Sequence, residues 1–593
     1  MVITHLRHGR CGLSWRPVRT RLQVGLTGLA LVGAGLLVSG PLASPALAAD
    51  PLSCGQAPTS PRPTFFTDEA GQPPVANPDR TSHYTLTAHL GEHSFHSGWD
   101  PVPTLGYSST GSSSTGNVTV DYLGPTIVTK ERQPIDVTIA NGLPKAGTAM
   151  FPQFCAPTTN TVVLHRHGGL QPALSDGAPD QIQTVKPGDS YTNHYPNDQA
   201  AAPLWYHDHA DGVTSYNVYA GLAGFMPNTD RLEPLFNLPA GNFAKAYVLQ
   251  DKSFYADHRL YYTHDSPEFF GDLPVVNGTI APKQTVQPRR YTFTFINGSD
   301  SRFYHLTLKR PDGTTGAAAP QMTVVGSDSG YLLKTAKVSD LLISPGERYK
   351  VVVDFTGHSG QWVLSNDANT PYPTGDDGVA KIPQLMRFDV NAPLTGVDSS
   401  SVPPTIVETN NLLPPAASLL LARLRTVQAG ENSPGDPPQL GDATQLRKFT
   451  DPATETPKLG SNEAWAMRNH SPDSHPIHIH LVELRLVGRW PVGQWQTTAT
   501  GNTVPVPGTI GAFQPPGAFE AGPKDTFVAP LDFITVWVGR YTIGGISVWH
   551  CHILSHEDAS VEMMRPLAVG TASQTQLPLI VTQARLDRLI RNG

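Results

Sequence analysis

This sequence predicts an all-β chain of three related Greek-key β-sandwich domains, on three observations. Glycine and proline are abundant, at 54 and 56 of 593 residues, and charged residues make up only 15%, against about 25% in an ordinary soluble protein. One 25-residue pattern recurs three times along the chain. Histidines also come in pairs two residues apart, the spacing at which a strand turns side chains to one face.

Residues 1–48 read as a secretory leader. Five arginines (Arg7, Arg10, Arg16, Arg19 and Arg21) precede an apolar stretch from Val24 to Val38, which ends at Ala46-Leu47-Ala48. That is the charged, apolar and small-x-small order of a cleavable signal, and the apolar stretch is short of the roughly 20 residues of a membrane span. The mature chain is therefore expected to be exported, with no membrane span. The leader holds five basic residues and no acidic ones, so its loss moves the net charge from −7 to −12. Such a surface repels phosphate backbones and excludes nucleic acid as a partner. Cys11 leaves with the leader, so Cys54, Cys155 and Cys551 remain. An odd count points to one thiol kept for chemistry. Cys551 is that candidate, with Cys54 and Cys155 a possible disulfide.

The repeat marks the domains. The segments VKPGDSYTNHYPNDQAAAPLWYHDH (185–209), ISPGERYKVVVDFTGHSGQWVLSND (343–367) and VAPLDFITVWVGRYTIGGISVWHCH (528–552) each read as a proline turn, a strand, a loop and a second strand. Upstream of each, a strand ends in Asn141-Gly142, Asn297-Gly298 or Asn469-His470, and a His-bearing strand follows. Three copies of this β-turn-β unit predict domains at 49–228, 229–392 and 405–570. Residues 393–404 form a proline-ended linker, 108–116 (SSTGSSSTG) a mobile surface insertion, and the 571–593 tail ends in a short helix packed on the body. Where the outer copies carry His207 and His209, or His550 and His552, the middle copy has Ser365 and Asp367. It keeps the fold pattern without the imidazoles.

Ten of the 22 histidines fall in four clusters: His165-Arg166-His167, His207-Asp208-His209, His475-Pro476-Ile477-His478-Ile479-His480, and His550-Cys551-His552 with His556. A tetrahedral zinc takes four ligands at most, so this set calls for several ions. Cys551 with His475 and His556, and Met563 and Met564 nearby, matches the two-imidazole, one-thiolate set with a weak axial ligand of a blue-copper centre. Imidazole also suits copper at the remaining sites, and no carboxylate cage accompanies them. Alternation along the strand turns His550 and His552 away from Cys551, so peptide bonds join the two kinds of site.

In these motifs the sequence resembles the multicopper oxidases, and within them the bacterial spore-coat laccase and bilirubin oxidase group. The likeness runs through most of 119–570 and is closest in HRHGGLQPALSDG, YPNDQAAAPLWYHDHA, HPIHIHL and VWHCHILSHED with MMRP. The resemblance implies three cupredoxin-like domains and four coppers per chain. It assigns His475, Cys551 and His556 to a type 1 copper, His165 and His478 to type 2, and His167, His207, His209, His480, His550 and His552 to the type 3 pair. It makes Asp176 and Glu557 proton carriers. The implied activity is one-electron oxidation of small phenols and aromatic amines, coupled to four-electron reduction of O2 to water, by a monomer. Bilirubin or o-aminophenol oxidation is the alternative within the family, and a non-catalytic cupredoxin scaffold the remote one. The reductant is expected to dock beside His475.

Two departures stand out. Two residues are added in HEDASVEMMRP: either they bulge out and Met563 takes the axial position, the favoured reading, or Val561, at the usual spacing, faces the ion with no axial bond. Arg166 replaces a bulky apolar residue, and is expected to turn away from the ligands into a surface or inter-domain ion pair.

Overall fold

The computed structural model describes residues 58–592, apart from 111–116, 155, 181, 265, 315–318, 407–421, 434, 559–562, 572–579 and 581. The leader, Cys54, Cys155 and Val561 lie outside the described residues. Nearly all regular structure is β.

One pairing scheme occurs three times. A strand runs parallel to a second strand, which pairs antiparallel with the first strand of the 25-residue pattern. The sets are His83–His93, Ile135–Asn141 and Ser190–Tyr195; Ala244–Phe254, Arg290–Asn297 and Arg348–Asp354; and Arg423–Gly430, Asn462–Asn469 and Phe533–Arg540. The repeated asparagine has the same task each time. Asn141 donates from Nδ2 to the carbonyls of Asn160 and Val185, and its Oδ1 accepts from the Leu143 amide. Asn297 does so with Arg302, Ile343 and Ser299, and Asn469 with Asp473, Ala529 and Ser471. Buried backbone groups at a strand end need partners, and one amide side chain supplies three.

A second sheet accompanies each set. Leu164–His167, Trp205–Asp208 and Ala223–Phe225 form the first, and Thr526–Ala529, His475–Ile479, Gly545–Cys551 and Met564–Val569 the last. Apolar side chains fill the space between sheets, with Leu86, Val137 and Trp205 in one core and Trp465, Trp537 and Trp549 in another. Three details depart from the sequence reading or complete it. Residues 108–110 are not part of a loose insertion: they end the strand Val102–Thr110, which pairs with Asn117–Val118. In the 393–404 stretch, Asp398 pairs with Arg289 and Arg290. The tail does form a helix, Gln583–Asn592, which buries Leu586 and Ile590 beside Trp490.

Candidate metal centre

Strand pairing gathers the histidines. Leu164–His167 lies antiparallel to Trp205–Asp208 with His165 opposite His207. His475–Ile479 lies between Thr526–Ala529 and Gly545–Cys551, with His478 opposite His550 and Ile477 opposite Cys551. Asp208, between two of the histidines, is spent on structure: it accepts from the amides of Val163 and Ala210 and from Asn217 Nδ2.

Five buried groups result, each with donor atoms within 4.8 Å of one another: His165/His167/His478, His167/His207/His552, His209/His480/His550, His475/Cys551/His556 and His165/Asp176/His480. All ten clustered histidines and Cys551 therefore meet, as the sequence implies. In the second group, His167 Nδ1 is 3.4 Å from His207 Nε2 and 3.2 Å from His552 Nε2. In the third, His550 Nε2 is 3.4 Å from His209 Nε2 and 3.1 Å from His480 Nε2. Such spacing suits nitrogens sharing one ion at about 2.0 Å.

For His165 and His478 the outward nitrogen is held and the inward one left free. His165 Nδ1 faces the Asp176 carbonyl at 2.6 Å and His478 Nδ1 the Asp525 carbonyl at 3.0 Å. Among the described residues, Nε2 of each has no hydrogen-bond partner although both rings are fully buried. A second partner of this kind fixes tautomer and orientation for a metal, and an orphaned buried nitrogen is costly without one. Burial also pushes His165 and His478 well below the ordinary imidazole value, His207 down to about 4 and His475 to about 3, so these four are neutral ligands at ordinary pH. The set fits copper.

Cys551 Sγ lies 3.5 Å from His475 Nδ1 and 3.7 Å from His556 Nδ1. Met563 is buried in the same core as Cys551. Its carbonyl accepts from the Cys551 amide, and its own amide donates to the His556 carbonyl, both at 2.9 Å. The carboxylates singled out in the sequence, Asp176 and Glu557, both stand against these imidazoles. Asp176 Oδ2 is 2.8 Å from His480 Nδ1, and Oδ1 accepts from Gln171 Nε2; burial pushes its carboxyl up to about 8. Glu557 stands between His209 Nδ1 at 3.1 Å and His550 Nδ1 at 3.2 Å.

Two expectations change. His475 is not the edge nearest solvent: it is fully buried, and its Nε2 meets Ser471 Oγ at 2.7 Å. His556 is buried as well, at 3% exposure, with Nε2 at 3.9 Å from Glu268 Oε1. Arg166 does turn aside from the ligands, but forms no ion pair among the described residues. It is fully buried, donates to Asn197 Oδ1 and Thr129 Oγ1, and lies 5.0 Å from the Tyr195 ring centroid. Burial pushes it down to about 10.

Sequence reasoning missed Asp525, Glu268 and Ser471. Asp525 and Glu268 are lone polar residues outside any motif, brought to a histidine only by folding, whereas Ser471 lies four positions before His475.

The chain is similar to known proteins in sequence and fold. Two family models described as multicopper oxidase match residues 155–231 and 421–573. A laccase of Bacillus subtilis (strain 168) is 32% identical over 529 residues, covering 84% of this chain and 96% of its own. Multicopper oxidase LPR1 of Arabidopsis thaliana is 30% identical, over 80% and 86%. The crystal structure of a laccase from Pediococcus acidilactici shares the fold, with a TM-score of 0.66 at 24% identity over 87% and 96% of the two chains.

Proposed function

The chain belongs to the multicopper oxidase family, and from that premise we propose a laccase-like oxidase that couples oxidation of phenols and aromatic amines to reduction of O2 to water. The observation that carries this is the grouping of one thiolate with two imidazoles beside eight further imidazoles in mutual reach.

In this reading the chain has three cupredoxin-like domains, at 49–228, 229–392 and 405–570, and is exported after loss of residues 1–48. Among the described residues no helix is long and apolar enough to cross a membrane. His475, Cys551 and His556, together with Met563, would hold a type 1 copper. His165 and His478 hold type 2. His167, His207 and His552 hold one type 3 ion, and His209, His480 and His550 the other. Copper in these sites supplies one-electron oxidation of the substrate and four-electron reduction of O2.

The chain's own part is positional. Burial excludes water from the donor atoms. Cys551 is covalently continuous with His550 and His552, so peptide bonds alone link the thiolate site to the imidazole sites. The reductant docks at the His556 edge, since His475 is closed off by Ser471. Asp176 Oδ2 accepts from His480 Nδ1, and Glu557 offers its two oxygens to His209 and His550. These are the groups suited to proton delivery.

Copper quantitation with absorption and EPR spectra on copper-loaded protein tests the reading. Four coppers per chain, one blue EPR signal and one normal signal are expected. A Cys551→Ser variant that keeps its blue colour and turnover refutes it.

A further inference from the structure

The middle repeat carries none of the clustered imidazoles, yet its turn reaches them. Gly346, at φ +84, lies so close to His552 that a Cβ there would stand 2.8 Å from the imidazole ring. Two residues on, Arg348 opens the strand Arg348–Asp354 and is fully buried. Its Nη1 and Nη2 donate to Oδ1 and Oδ2 of Asp525, both at 2.6 Å. Its remaining donors go to the carbonyls of Pro203, Gly346 and Asp328. In the aligned repeats this position is Ser190 and Phe533, so only the middle copy brings a guanidinium.

Asp525 passes that anchoring on. Its Oδ1 is 3.0 Å from His167 Nε2, which leaves His167 Nδ1 to face His207 and His552. Its main-chain carbonyl takes His478 Nδ1, which leaves the unpartnered His478 Nε2 inward. Gly168, directly after His167, has φ +83, and a Cβ there would stand 2.5 Å from both Arg348 Nη2 and Asp525 Oδ2. The Gly after His167 is thus demanded by the ion pair. A second buried link runs alongside, from Lys524 Nζ to Asp328 and Glu347 at 2.8 Å each.

We propose that Arg348 is a positioning residue for the imidazole copper sites: its two-pronged grip on Asp525 sets the ring orientation of His167 and the main-chain anchor of His478. A planar fork matched to a carboxylate fixes direction as well as charge, and partners one shell out from a metal tune its affinity by about 10–100-fold. The middle domain, which holds no copper, thereby controls copper binding between its neighbours. This rests on the ligand assignment proposed above.

Copper content and EPR spectra of copper-loaded wild type, Arg348→Met, Arg348→Lys and Asp525→Asn test it. Wild type must show both a blue and a normal signal; their absence would sink the ligand assignment itself, whatever Arg348 does. In Arg348→Met the blue absorption and blue EPR signal are expected to stay, while the normal signal falls by half or more and copper per chain drops. Arg348→Lys, with the charge but not the fork, should recover only part of that loss, and Asp525→Asn should show the same selective loss. An unchanged normal signal and copper count, or equal loss of both signals, overturns the proposal. Should Arg348→Met fail to fold, the Lys and Asn variants decide by the same criteria.

Discussion

Glu268 Oε1 lies 3.9 Å from Nε2 of His556, the more exposed of the two imidazoles beside Cys551. A carboxyl at that edge can accept the O–H or N–H of a docking reductant. A hydrogen bond of this kind is worth about 0.5–1.5 kcal/mol net, or about 2–10-fold. Glu268→Leu should therefore lower kcat/KM for phenols by about that factor and leave ferrocyanide, which has no such donor, unaffected. Steady-state kinetics with both donors check this; equal losses would show that Glu268 does not meet the substrate.

Met563 is locked by its backbone between Cys551 and His556. With its thioether on the type 1 ion, Met563→Leu should raise the potential, because an axial donor stabilises the oxidised ion. A redox titration of the blue band reads the shift. An unchanged potential removes Met563 from the axial position.

In the middle repeat, His305 stands with Asp340 at 3.0 Å and with Asp367 at 2.5 Å, and Asp367 occupies the place that His209 and His552 hold in the outer copies. Partial burial would lower the imidazole, but the hydrogen bonds to Asp340 and Asp367 outweigh it and raise it above 6.5. Asp340 is lowered below 3.8 by the Ser339 hydroxyl and then His305, and Asp367 is lowered too, because the hydrogen bonds from His305 and Lys309 outweigh its burial. The histidine's contribution is complete below 6.5 and is lost as pH rises through its raised value. That of the aspartates is complete above 3.8 and is lost as pH falls through their lowered values. With over a third of His305 exposed, solvent screening limits the gain to about 1 kcal/mol or less. The loss in thermal midpoint on His305→Leu should be larger at pH 5 than at pH 9. A loss that grows toward pH 9 would contradict the charge assignment.

Leu586 on the C-terminal helix is fully buried against the core containing Trp490, and Asp587 accepts from the Trp490 indole at 2.8 Å. Leu586→Ala should destabilise by about 2–4 kcal/mol through lost burial and a cavity, without changing the blue spectrum. Calorimetry reads it, and a loss under about 0.5 kcal/mol would mean the helix detaches freely.

Much was legible in the sequence because its signals are local. Two-residue spacing on a strand decides which histidines share a face, so His165 with His167 and His207 with His209 could be paired from the sequence. Alternation separated Cys551 from His550 and His552 for the same reason. The repeated asparagine was visible as a pattern, and the structure supplied its task as a three-way backbone lock. Other features depend on neighbours far away in the chain. The carboxyl beside His556 comes from Glu268, and no spacing encodes that contact. Arg166 read as an ion-pair residue because a lone arginine rarely has enough neutral partners inside a protein, yet folding brought Asn197, Thr129 and the Tyr195 ring around it. Arg348 is separated from Asp525 by 177 positions, and only the packing of sheets turned an apparently ligand-free repeat toward the imidazoles. The sequence by itself determined the donor atoms and their local grouping, through backbone periodicity. Tertiary structure alone decided which edges are open and which charges stand behind the ligands, because burial and ion pairing depend on residues that meet only when the sheets close.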